Sequence, residues 1–374
     1  MQFTVSSSAL LSRLLSIGRV VNSKSTLPIL ENFLFKISDN TLTITATDLE
    51  TTLTSTLAVE NSTGNITLAV QAKLLLDTLR EFPEQPLLFD IDEESLAVLI
   101  KTENGQFNFI GLSGDAFPKS ATLSDESNHL ILPVETLLTG ISRASFAAAS
   151  EEDLRPTMAG VFFDIKPEEL TLVATDAHKL VRLKMLSVKS GIEASFILPK
   201  KSTAILKSIL PKISGDVKIS FDSQNILFEL PEYTLICRQI EGRYPNYNGV
   251  IPTQNPFKII VDRPAFLNAV RRVSVYSNQG TGLIKLHATD NVLLLSAQDI
   301  DFSTSAEESI PCQFSDESIE IGFKAPLLVD VLTNISASEV VIELADSTRA
   351  GILLPLENEQ DEDLLMLLMP MLIA

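Results

Sequence analysis

The sequence repeats one pattern of apolar and polar residues three times, with a period of about 125 residues. Residues 42–49 read LTITATDL, and residues 170–177 read LTLVATDA, 128 positions further on. A weaker copy, NVLLLSAQDID, occupies residues 291–301. Self-similarity at a fixed period indicates that one folding unit is used repeatedly. The 374-residue chain is therefore predicted to form three similar domains.

Each copy ends in an aspartate that follows an apolar run. A matching β-type run precedes the three copies, at residues 27–38, 155–166 and 280–289. Two such runs joined by a short polar segment predict a β-hairpin. Asp48, Asp176 and Asp299 are expected to hold turns, because an aspartate carboxylate accepts hydrogen bonds from backbone amides two or three residues ahead. A catalytic residue is seldom present in triplicate in one chain, which also favours the turn role.

Helical patterns recur in the same register as the hairpins. Their six segments are residues 6–24, 70–82, 133–149, 198–212, 262–278 and 322–336. Ser7 or Ser8 is a candidate cap for the first helix, and Pro133 opens the third. Asp262, the first residue of the fifth segment, is a candidate cap, and Pro264 suits the first turn that follows it.

These elements predict an α+β fold of three repeated domains, each with two helices packed on antiparallel sheets. The predicted boundaries are residues 1–126, 127–254 and 255–374. A further repeated element joins Phe117-Pro118 to Tyr244-Pro245, 127 positions apart, and its third copy is expected to be eroded into GILLP and the tail. Residues 364–368 are predicted to form a final buried strand.

Positive charge is concentrated in the predicted helices. The chain has a formal net charge of −19, yet the six segments together hold nine more basic than acidic residues. One shared basic surface within an acidic body would attract a polyanion without reading its sequence. The candidate residues for this surface are Arg13, Arg19, Arg143, Lys200, Lys201, Lys207, Arg271 and Arg272.

Several classes of protein are disfavoured by the composition. Two cysteines, Cys237 and Cys312, provide neither a disulfide framework nor a metal-ligand cluster. The three histidines, His129, His178 and His287, are widely separated, and no common catalytic motif accompanies them. The N-terminus lacks the pattern of a secretory signal, and no apolar run reaches membrane-spanning length. We therefore expect a cytoplasmic protein with no metal, no cofactor and no catalytic residue.

Several motifs resemble one known family. TLPILENFLFKI, TATDLE, VATDAHKL, EGRYPNYNGVIP, EIGFKAPLLVDVL and the terminal MPM at residues 369–371 are similar to motifs of bacterial sliding clamps, the beta subunit of DNA polymerase III. The resemblance extends over essentially the whole chain. It implies a non-catalytic processivity factor, in which two subunits pack head to tail into a ring around duplex DNA.

The resemblance also implies specific site residues. Lys24 would project toward DNA, and the subunit contact would join Phe107 and Phe109 to Val275 and Tyr276 of the partner. A surface pocket between the second and third domains would bind short linear peptides of the polymerase, the clamp loader and repair proteins. That pocket would include Met158, Thr175, Ala177, His178, Lys179, Leu180, Pro245, Val250, Thr348, Ala350, Met369, Pro370 and Met371.

The sequence departs from the family pattern at two places in this pocket. Ala177-His178-Lys179 stands where many members have Gly-His-Arg, and Leu372 stands where an Arg follows Met-Pro-Met. Because Lys lacks the planar, bidentate hydrogen-bond donor of Arg, we hypothesise that peptide preference is shifted toward apolar contacts. An acidic scaffold that binds proteins without encircling DNA remains the alternative, and a metal-dependent nuclease is disfavoured because the repeated aspartates fall in separate domains.

Overall fold

The computed structural model of the protein describes residues 1–22, 27–150, 152 and 155–373. Its contacts divide the chain into two units, both built from helices and antiparallel sheets. The first unit consists of Met1–Leu138 and Ala204–Gln239, and the second of Thr139–Thr203 and Ile240–Ala374. Each unit thus contains one whole predicted repeat and part of the middle one.

The described residues form six α-helices, one inside each predicted segment. They are α1 (Ser7–Ile17), α2 (Ala72–Arg80), α3 (Val134–Ala144), α4 (Lys200–Ile209), α5 (Arg263–Ser274) and α6 (Ala325–Thr333). In α1, Leu10, Leu14 and Ile17 are fully buried and form the apolar face of the helix. The spacing of these residues by three and four positions places them on one side of the helix.

The first repeat contributes nine strands: β1 (Gln2–Ser6), β2 (Asn32–Ser38), β3 (Thr41–Thr47), β4 (Thr51–Ala58), β5 (Ile66–Gln71), β6 (Pro86–Ile91), β7 (Ala97–Lys101), β8 (Gln106–Ile110) and β9 (Leu112–Ser113). The second contributes eight: β10 (Asn128–Pro133), β11 (Gly160–Lys166), β12 (Glu169–Thr175), β13 (Lys179–Met185), β14 (Ala194–Pro199), β15 (Asp216–Phe221), β16 (Asn225–Glu229) and β17 (Tyr233–Arg238). The third contributes eight: β18 (Phe257–Asp262), β19 (Leu283–Thr289), β20 (Val292–Asp299), β21 (Thr304–Pro311), β22 (Ile319–Lys324), β23 (Glu339–Leu344), β24 (Gly351–Pro355) and β25 (Glu362–Leu368).

The sheets join consecutive repeats. The first unit holds a four-stranded sheet, β1-β6-β7-β8, and a nine-stranded sheet, β10-β15-β16-β17-β4-β3-β2-β5-β9. The second unit holds an eight-stranded sheet, β14-β11-β12-β13-β25-β24-β23-β18, and a four-stranded sheet, β21-β20-β19-β22. The antiparallel pairs β4–β17 and β13–β25 therefore cross the predicted repeat boundaries, whereas β8 and β21 each lie at the edge of a four-stranded sheet.

The predicted hairpins are confirmed. Strand β2 pairs with β3, β11 with β12, and β19 with β20. The predicted final strand is also confirmed, since the side chains of residues 364–368 are all buried in β25. A strand with one covered face alternates apolar and polar side chains, whereas a strand covered on both faces is apolar throughout.

Four details of the sequence interpretation were wrong. Ser6, not Ser7 or Ser8, caps α1: its hydroxyl accepts a hydrogen bond from the amide of Ala9 at 3.1 Å, because β1 continues to Ser6 and leaves Ser7 already inside the helix. Pro133 is the last residue of β10 rather than a helical residue. By contrast, the Asp262 cap of α5 is confirmed, with the amide of Ala265 at 2.8 Å.

The third correction concerns the tail. The third copy of the repeated element begins in β25 rather than at GILLP, because β24 and β25 pair with each other as β16 and β17 do. The sequence pattern was obscured because β25 is buried on both faces and reads as a continuous apolar run without alternation. In the β20–β21 turn, Asp299 occupies the position of Thr47 and Thr175, one residue earlier than the alignment predicted.

Candidate functional site

The β12–β13 turn is organised by the carboxylate of Asp176. Its Oδ1 accepts hydrogen bonds from the amides of His178 at 2.9 Å and Lys179 at 2.8 Å. The hydroxyl of Thr175 is also used within the turn, since it donates to the carbonyl of Lys179 at 2.7 Å and accepts from the amide of Ala177 at 3.1 Å. The exposed imidazole of His178 thereby lies at the tip of a turn closed from both sides.

The turn role predicted for the three aspartates is confirmed. Asp48 Oδ1 accepts from the amides of Glu50 at 3.1 Å and Thr51 at 2.6 Å. Asp299 Oδ1 accepts from the amides of Asp301 at 3.0 Å and Phe302 at 3.3 Å. The same short polar side chain therefore closes the equivalent turn in every repeat, because its carboxylate reaches amides two and three residues ahead.

The ammonium group of Lys179 is buried and held by two carboxylates. Only 7% of the residue is exposed, and its Nζ lies 3.1 Å from Asp176 Oδ2 and 3.2 Å from Asp330 Oδ2. The ring of Phe146 lies 6.0 Å from the same nitrogen. A buried charge requires such partners, since an unpaired one carries a desolvation cost of several kcal/mol. Lys179 therefore connects the turn to α6.

An apolar cluster lies beside this turn. Its buried members are Val173, Leu180, Ile197, Tyr244, Tyr247, Ala350, Ile352, Leu365 and Leu367. Phe162, Ile240, Ile251 and Leu354 pack against them and are partly exposed. We name these thirteen residues the apolar cluster. It covers one face of the eight-stranded sheet, and two of its buried members, Leu180 and Ala350, belong to the predicted pocket.

The segment that contains Pro245 is fixed onto the sheet by two tyrosines. The Tyr244 ring stacks on Phe162, with ring centroids 4.5 Å apart and planes 4° from parallel. The hydroxyl of Tyr247 donates to Asp164 Oδ2 at 2.7 Å. Burial raises the pKa of both tyrosines, so their hydroxyls stay protonated. The stacking and the hydrogen bond thus position Pro245 at the edge of the apolar cluster.

The tail returns to the same turn through β25. Leu180 faces Leu367 in the β13–β25 pair, and the amide of Met369 donates to the carbonyl of His178 at 2.8 Å. Met371 pairs instead with Gly322, its amide donating to the glycine carbonyl at 2.8 Å. Met369 is 43% exposed, so an apolar side chain is presented next to His178.

The remaining predicted pocket residues lie at the margins of the second unit. Met158 is buried in a short helical turn, and its backbone carbonyl accepts a hydrogen bond from the amide of Ala149 at 2.9 Å. Val250 is exposed at the end of the segment that follows Tyr247. Thr348 donates its amide and hydroxyl to Asp346 Oδ1, at 2.8 and 2.7 Å, in the turn before Ala350.

Three of the predicted DNA-facing arginines are already paired with carboxylates. Arg13 pairs with Glu232 and also lies 5.2 Å from the ring centroid of Tyr233. Arg143 pairs with Glu362, and Arg272 Nε donates to Glu308 Oε2 at 2.9 Å. Hydrogen bonding with these arginines lowers the pKa of Glu232 and Glu308, whereas burial raises the pKa of Glu362 more than Arg143 lowers it.

The other predicted basic residues lie on helices or just after one. Arg19 is exposed in the turn after α1, Arg271 is exposed on α5, and Lys201 and Lys207 are half-buried on α4. Lys200 lies with its Nζ 3.5 Å from the carbonyls of Ala148 and Ala149. Lys24 lies outside the described residues.

The predicted subunit-contact residues are accessible on their own units. Phe107 lies on edge strand β8, where its ring contacts Phe82 at 4.9 Å between centroids. Phe109 is half-buried on the same strand. Val275 and Tyr276 follow α5, and Val275 is 78% exposed. The four predicted side chains are thus at least partly exposed on their own units.

Sequence reasoning missed the side chains that support the candidate pocket. Asp330 and Phe146 contact Lys179, and Phe162 and Asp164 hold the tyrosine segment. The repeated aromatic-Pro motif could have indicated a packed aromatic at Tyr244. The other contacts join residues far apart in sequence and leave no local signal.

Two further observations bear on function. No group of three or more His, Cys, Asp or Glu side chains within the described ranges is arranged to hold a metal ion. Among the helices assigned in the described part of the chain, none has the length and apolar character needed to cross a membrane.

Family models of the DNA polymerase III beta subunit match almost the entire chain. The N-terminal domain model matches residues 1–122, the central domain model residues 131–246, and the C-terminal domain model residues 248–372. A curated relative, the beta sliding clamp of Pseudomonas aeruginosa, is 28% identical over 360 residues, which cover 96% of this chain and 97% of the relative.

Solved structures agree with the family models. The DnaN sliding clamp of Pseudomonas aeruginosa bound to griselimycin superposes with a TM-score of 0.94 at 26% identity, and that of Bartonella birtlesii bound to griselimycin with 0.93 at 30% identity. Both comparisons cover 100% of each chain. Repeats, sheet order and sequence similarity thus lead to one conclusion: the chain belongs to the DNA polymerase III beta-subunit family, the sliding clamps, which are accessory subunits.

Proposed function

We propose that this chain is a DNA polymerase processivity factor that encircles duplex DNA as a head-to-tail dimer and slides on it. The observation that carries the proposal is the pair of open edge strands. Two strand pairs, β4–β17 and β13–β25, join consecutive repeats, and the equivalent strands at the two ends of the series, β21 and β8, lie at sheet edges. Each copy can therefore join its β21 to β8 of a partner.

Closure follows from this arrangement. A contact between two different surfaces generates a ring when the rotation closes and a filament when it does not. We infer three domains, residues 1–126, 127–254 and 255–374, and six such domains in a ring of two subunits. Phe107, Phe109, Val275 and Tyr276 would contribute the apolar part of the subunit contact. The exposed Val275 supports this assignment.

The DNA contact is proposed to be weak and independent of sequence. The candidate residues are Arg13, Arg19, Lys24, Arg143, Lys200, Lys201, Lys207, Arg271 and Arg272. Arg13, Arg143 and Arg272 should contribute less than unpaired arginines would, because carboxylates neutralise those three. Each lost phosphate contact should reduce the slope of log affinity against log salt by about 0.9.

The peptide site is proposed at the apolar cluster and the β12–β13 turn. Its walls would be formed by the thirteen residues predicted from the family resemblance, from Met158 to Met371. Buried apolar side chains and a stacked aromatic pair support this assignment, because peptide sites bind a few apolar anchors in a groove with polar walls. Lys179 would act by holding Asp176 and Asp330 rather than by contacting the peptide.

Tethering explains how such contacts would serve replication without catalysis by this chain. A polymerase that binds with a Kd of about 1 μM and is held near DNA at an effective concentration of about 1 mM stays engaged roughly a thousand to one. We accordingly infer a non-catalytic subunit that works in the cytoplasm beside the chromosome, with a polymerase, a clamp loader and repair proteins as peptide partners.

Retention on DNA of different topology tests the proposal. Protein loaded by its cognate clamp loader onto a nicked circular plasmid should co-elute with DNA in gel filtration and be released when the plasmid is linearised. Val275→Asp is the control, since an exposed charge at the subunit contact should prevent closure without disturbing the core. Equal retention on circular and linear DNA would reject encirclement, and no retention on either would favour an acidic scaffold.

A further inference from the structure

Two arginine–glutamate pairs link consecutive repeats, at neighbouring though not identical positions. Arg13 in α1 pairs with Glu232, which lies in the turn before β17. Arg143 in α3 pairs with Glu362, the first residue of β25. In both pairs the two residues are 219 positions apart. The recurrence indicates that an arginine–glutamate ion pair belongs to each junction between repeats.

The third repeat carries the equivalent arginine. Arg143 is the tenth residue of α3, and Arg272 is the tenth residue of α5. Each lies two positions after a buried apolar residue of its helix, Ile141 and Val270 respectively. Arg13 lies one turn earlier in α1, on the corresponding face, since residues three apart are neighbours on a helix.

The partner glutamate can be located from strand register. In the β4–β17 junction Tyr233 faces Ser55, and in the β13–β25 junction Leu364 faces Leu183. Ser55 and Leu183 are equivalent, because each lies three residues after the pair that closes its hairpin. Tyr233 and Leu364 are therefore equivalent. Counting back two residues from each makes the position of Glu362 equivalent to that of Pro231, which directly precedes Glu232.

The first repeat has a glutamate at this position. Strands β7 and β8 pair Lys101 with Gln106, and β16 and β17 pair Glu229 with Thr234, so both turns contain four residues. The second residue of each turn is residue 103 or 231. In the first repeat it is Glu103, which is exposed beside the open edge of β8.

In the single chain Arg272 has a substitute partner. Its guanidinium lies against Glu308 of edge strand β21, and 60% of the arginine side chain is exposed. The positions equivalent to Glu308 in the other two hairpins are Thr56 and Lys184. An acid beside this arginine is therefore specific to the repeat whose edge strand is open.

We propose that ring closure transfers Arg272 of one protomer to the partner's Glu103, reproducing at the subunit junction the Arg143–Glu362 pair. This inference rests on the proposed head-to-tail dimer and assigns a specific ion pair to it. Glu308 holds the guanidinium while the edge is open and competes with the partner for it. Each ring contains two such junctions, so any change in one protomer sequence acts twice.

The proposed Arg272–Glu103 pair should contribute to dimer affinity because it would be buried at the subunit junction. In the Arg143–Glu362 pair the side chains are 19% and 13% exposed, far less than those of Arg272 and Glu308 at 60% and 28%. Charged pairs removed from solvent at an interface couple strongly, and reversing one member places two like charges in contact. The subunit contact should therefore respond to the sign of both residues together.

Charge reversal tests the pairing. We would measure dimer dissociation by sedimentation equilibrium at about 100 mM salt for wild type, Arg272→Glu, Glu103→Arg and the double variant. Each single reversal should weaken the dimer about 100-fold, from about tenfold at each of two junctions, and the double reversal should recover most of this loss. Arg271→Glu, on the same helix, and Glu94→Arg, in the β6–β7 turn of the same repeat, are the controls and should change dissociation less than threefold. Glu308→Gln should tighten the dimer severalfold.

The outcomes separate the two proposals. A wild-type protein that stays monomeric at micromolar concentration rejects both the ring and the ion pair. A wild-type dimer in which the two reversals simply add rejects the ion pair alone and leaves the ring intact. Circular dichroism checks folding, and the neutral variants Arg272→Gln and Glu103→Gln provide the same cycle if a reversed variant fails to fold.

Discussion

Replacing Asp176 by Asn should destabilise its turn more than the equivalent change at Asp48. Both aspartates accept two backbone amide hydrogen bonds, and loss of the charge should weaken these by about 1 kcal/mol in total. Asp176 also pairs with the buried Lys179, whose position in the first hairpin is occupied by Thr51. The comparison therefore separates the turn from the ion pair.

The additional cost at Asp176 follows from the burial of Lys179. Leaving a buried charge without a partner costs about 3–5 kcal/mol. Because Asp330 remains 3.2 Å from the Lys179 ammonium group, only about half of this cost should apply, and the stability should fall by roughly 2 kcal/mol. The difference corresponds to about a 30-fold larger increase in local opening for Asp176→Asn than for Asp48→Asn.

Amide hydrogen exchange provides the assay. Exchange followed by mass spectrometry would report the peptides that contain Lys179 and Thr51 in the two variants and in wild type. We expect protection at Lys179 to fall about 30-fold further than at Thr51. Equal losses at the two turns would show that the buried ion pair contributes nothing and would refute the reasoning.

Three other predictions concern the same units. Ala177→Gly should raise the free energy of unfolding by about 0.5 kcal/mol, because Ala177 has a φ of 72° and glycine avoids the steric cost while losing chain entropy; a loss of stability in urea unfolding would contradict this. Tyr244→Ala should lower the free energy of unfolding by about 3–5 kcal/mol and weaken peptide binding, as measured by fluorescence anisotropy. Tyr244→Phe should lower the free energy of unfolding by less than about 1 kcal/mol, because the hydroxyl makes only a long hydrogen bond of 3.5 Å to the Val173 carbonyl. Arg13 lowers the pKa of Glu232, so this pair stabilises the fold above the unfolded glutamate pKa of about 4.3 and loses its contribution as the pH falls through the lowered folded value. Glu232→Gln should therefore lower the free energy of unfolding by at most about 1 kcal/mol at pH 7 and leave it unchanged near pH 2. A loss of stability that is independent of pH would argue against the pair.

The peptide hypothesis is tested separately at Lys179. If Lys179 supports the turn without contacting the peptide, Lys179→Arg should leave the affinity for a consensus partner peptide unchanged in fluorescence anisotropy, and Lys179→Met should weaken it by disturbing Asp176 and Asp330. A large change on Lys179→Arg alone would instead indicate direct contact. Leu180→Met serves as the control for a change in apolar volume at the adjacent position.

The sequence alone determined the elements and their repetition. Periodic apolar residues specified six helices and the three hairpins, because burying one face of a helix or strand requires apolar side chains at fixed spacing. The aspartate turns were also readable, since their hydrogen bonds reach only two or three residues along the chain. The concentration of basic residues in helices was a matter of counting.

Only the tertiary structure decided how the repeats join and which charges remain available. Strand pairs β4–β17 and β13–β25 connect residues more than 170 positions apart, and the Arg13–Glu232 and Arg143–Glu362 pairs follow from them. Lys179 looked like a pocket wall in the sequence, yet Asp330, 151 residues away, holds its ammonium group. Such contacts leave no local pattern, because an ion pair depends on distance in space and on burial, and neither is encoded in the spacing of neighbouring residues.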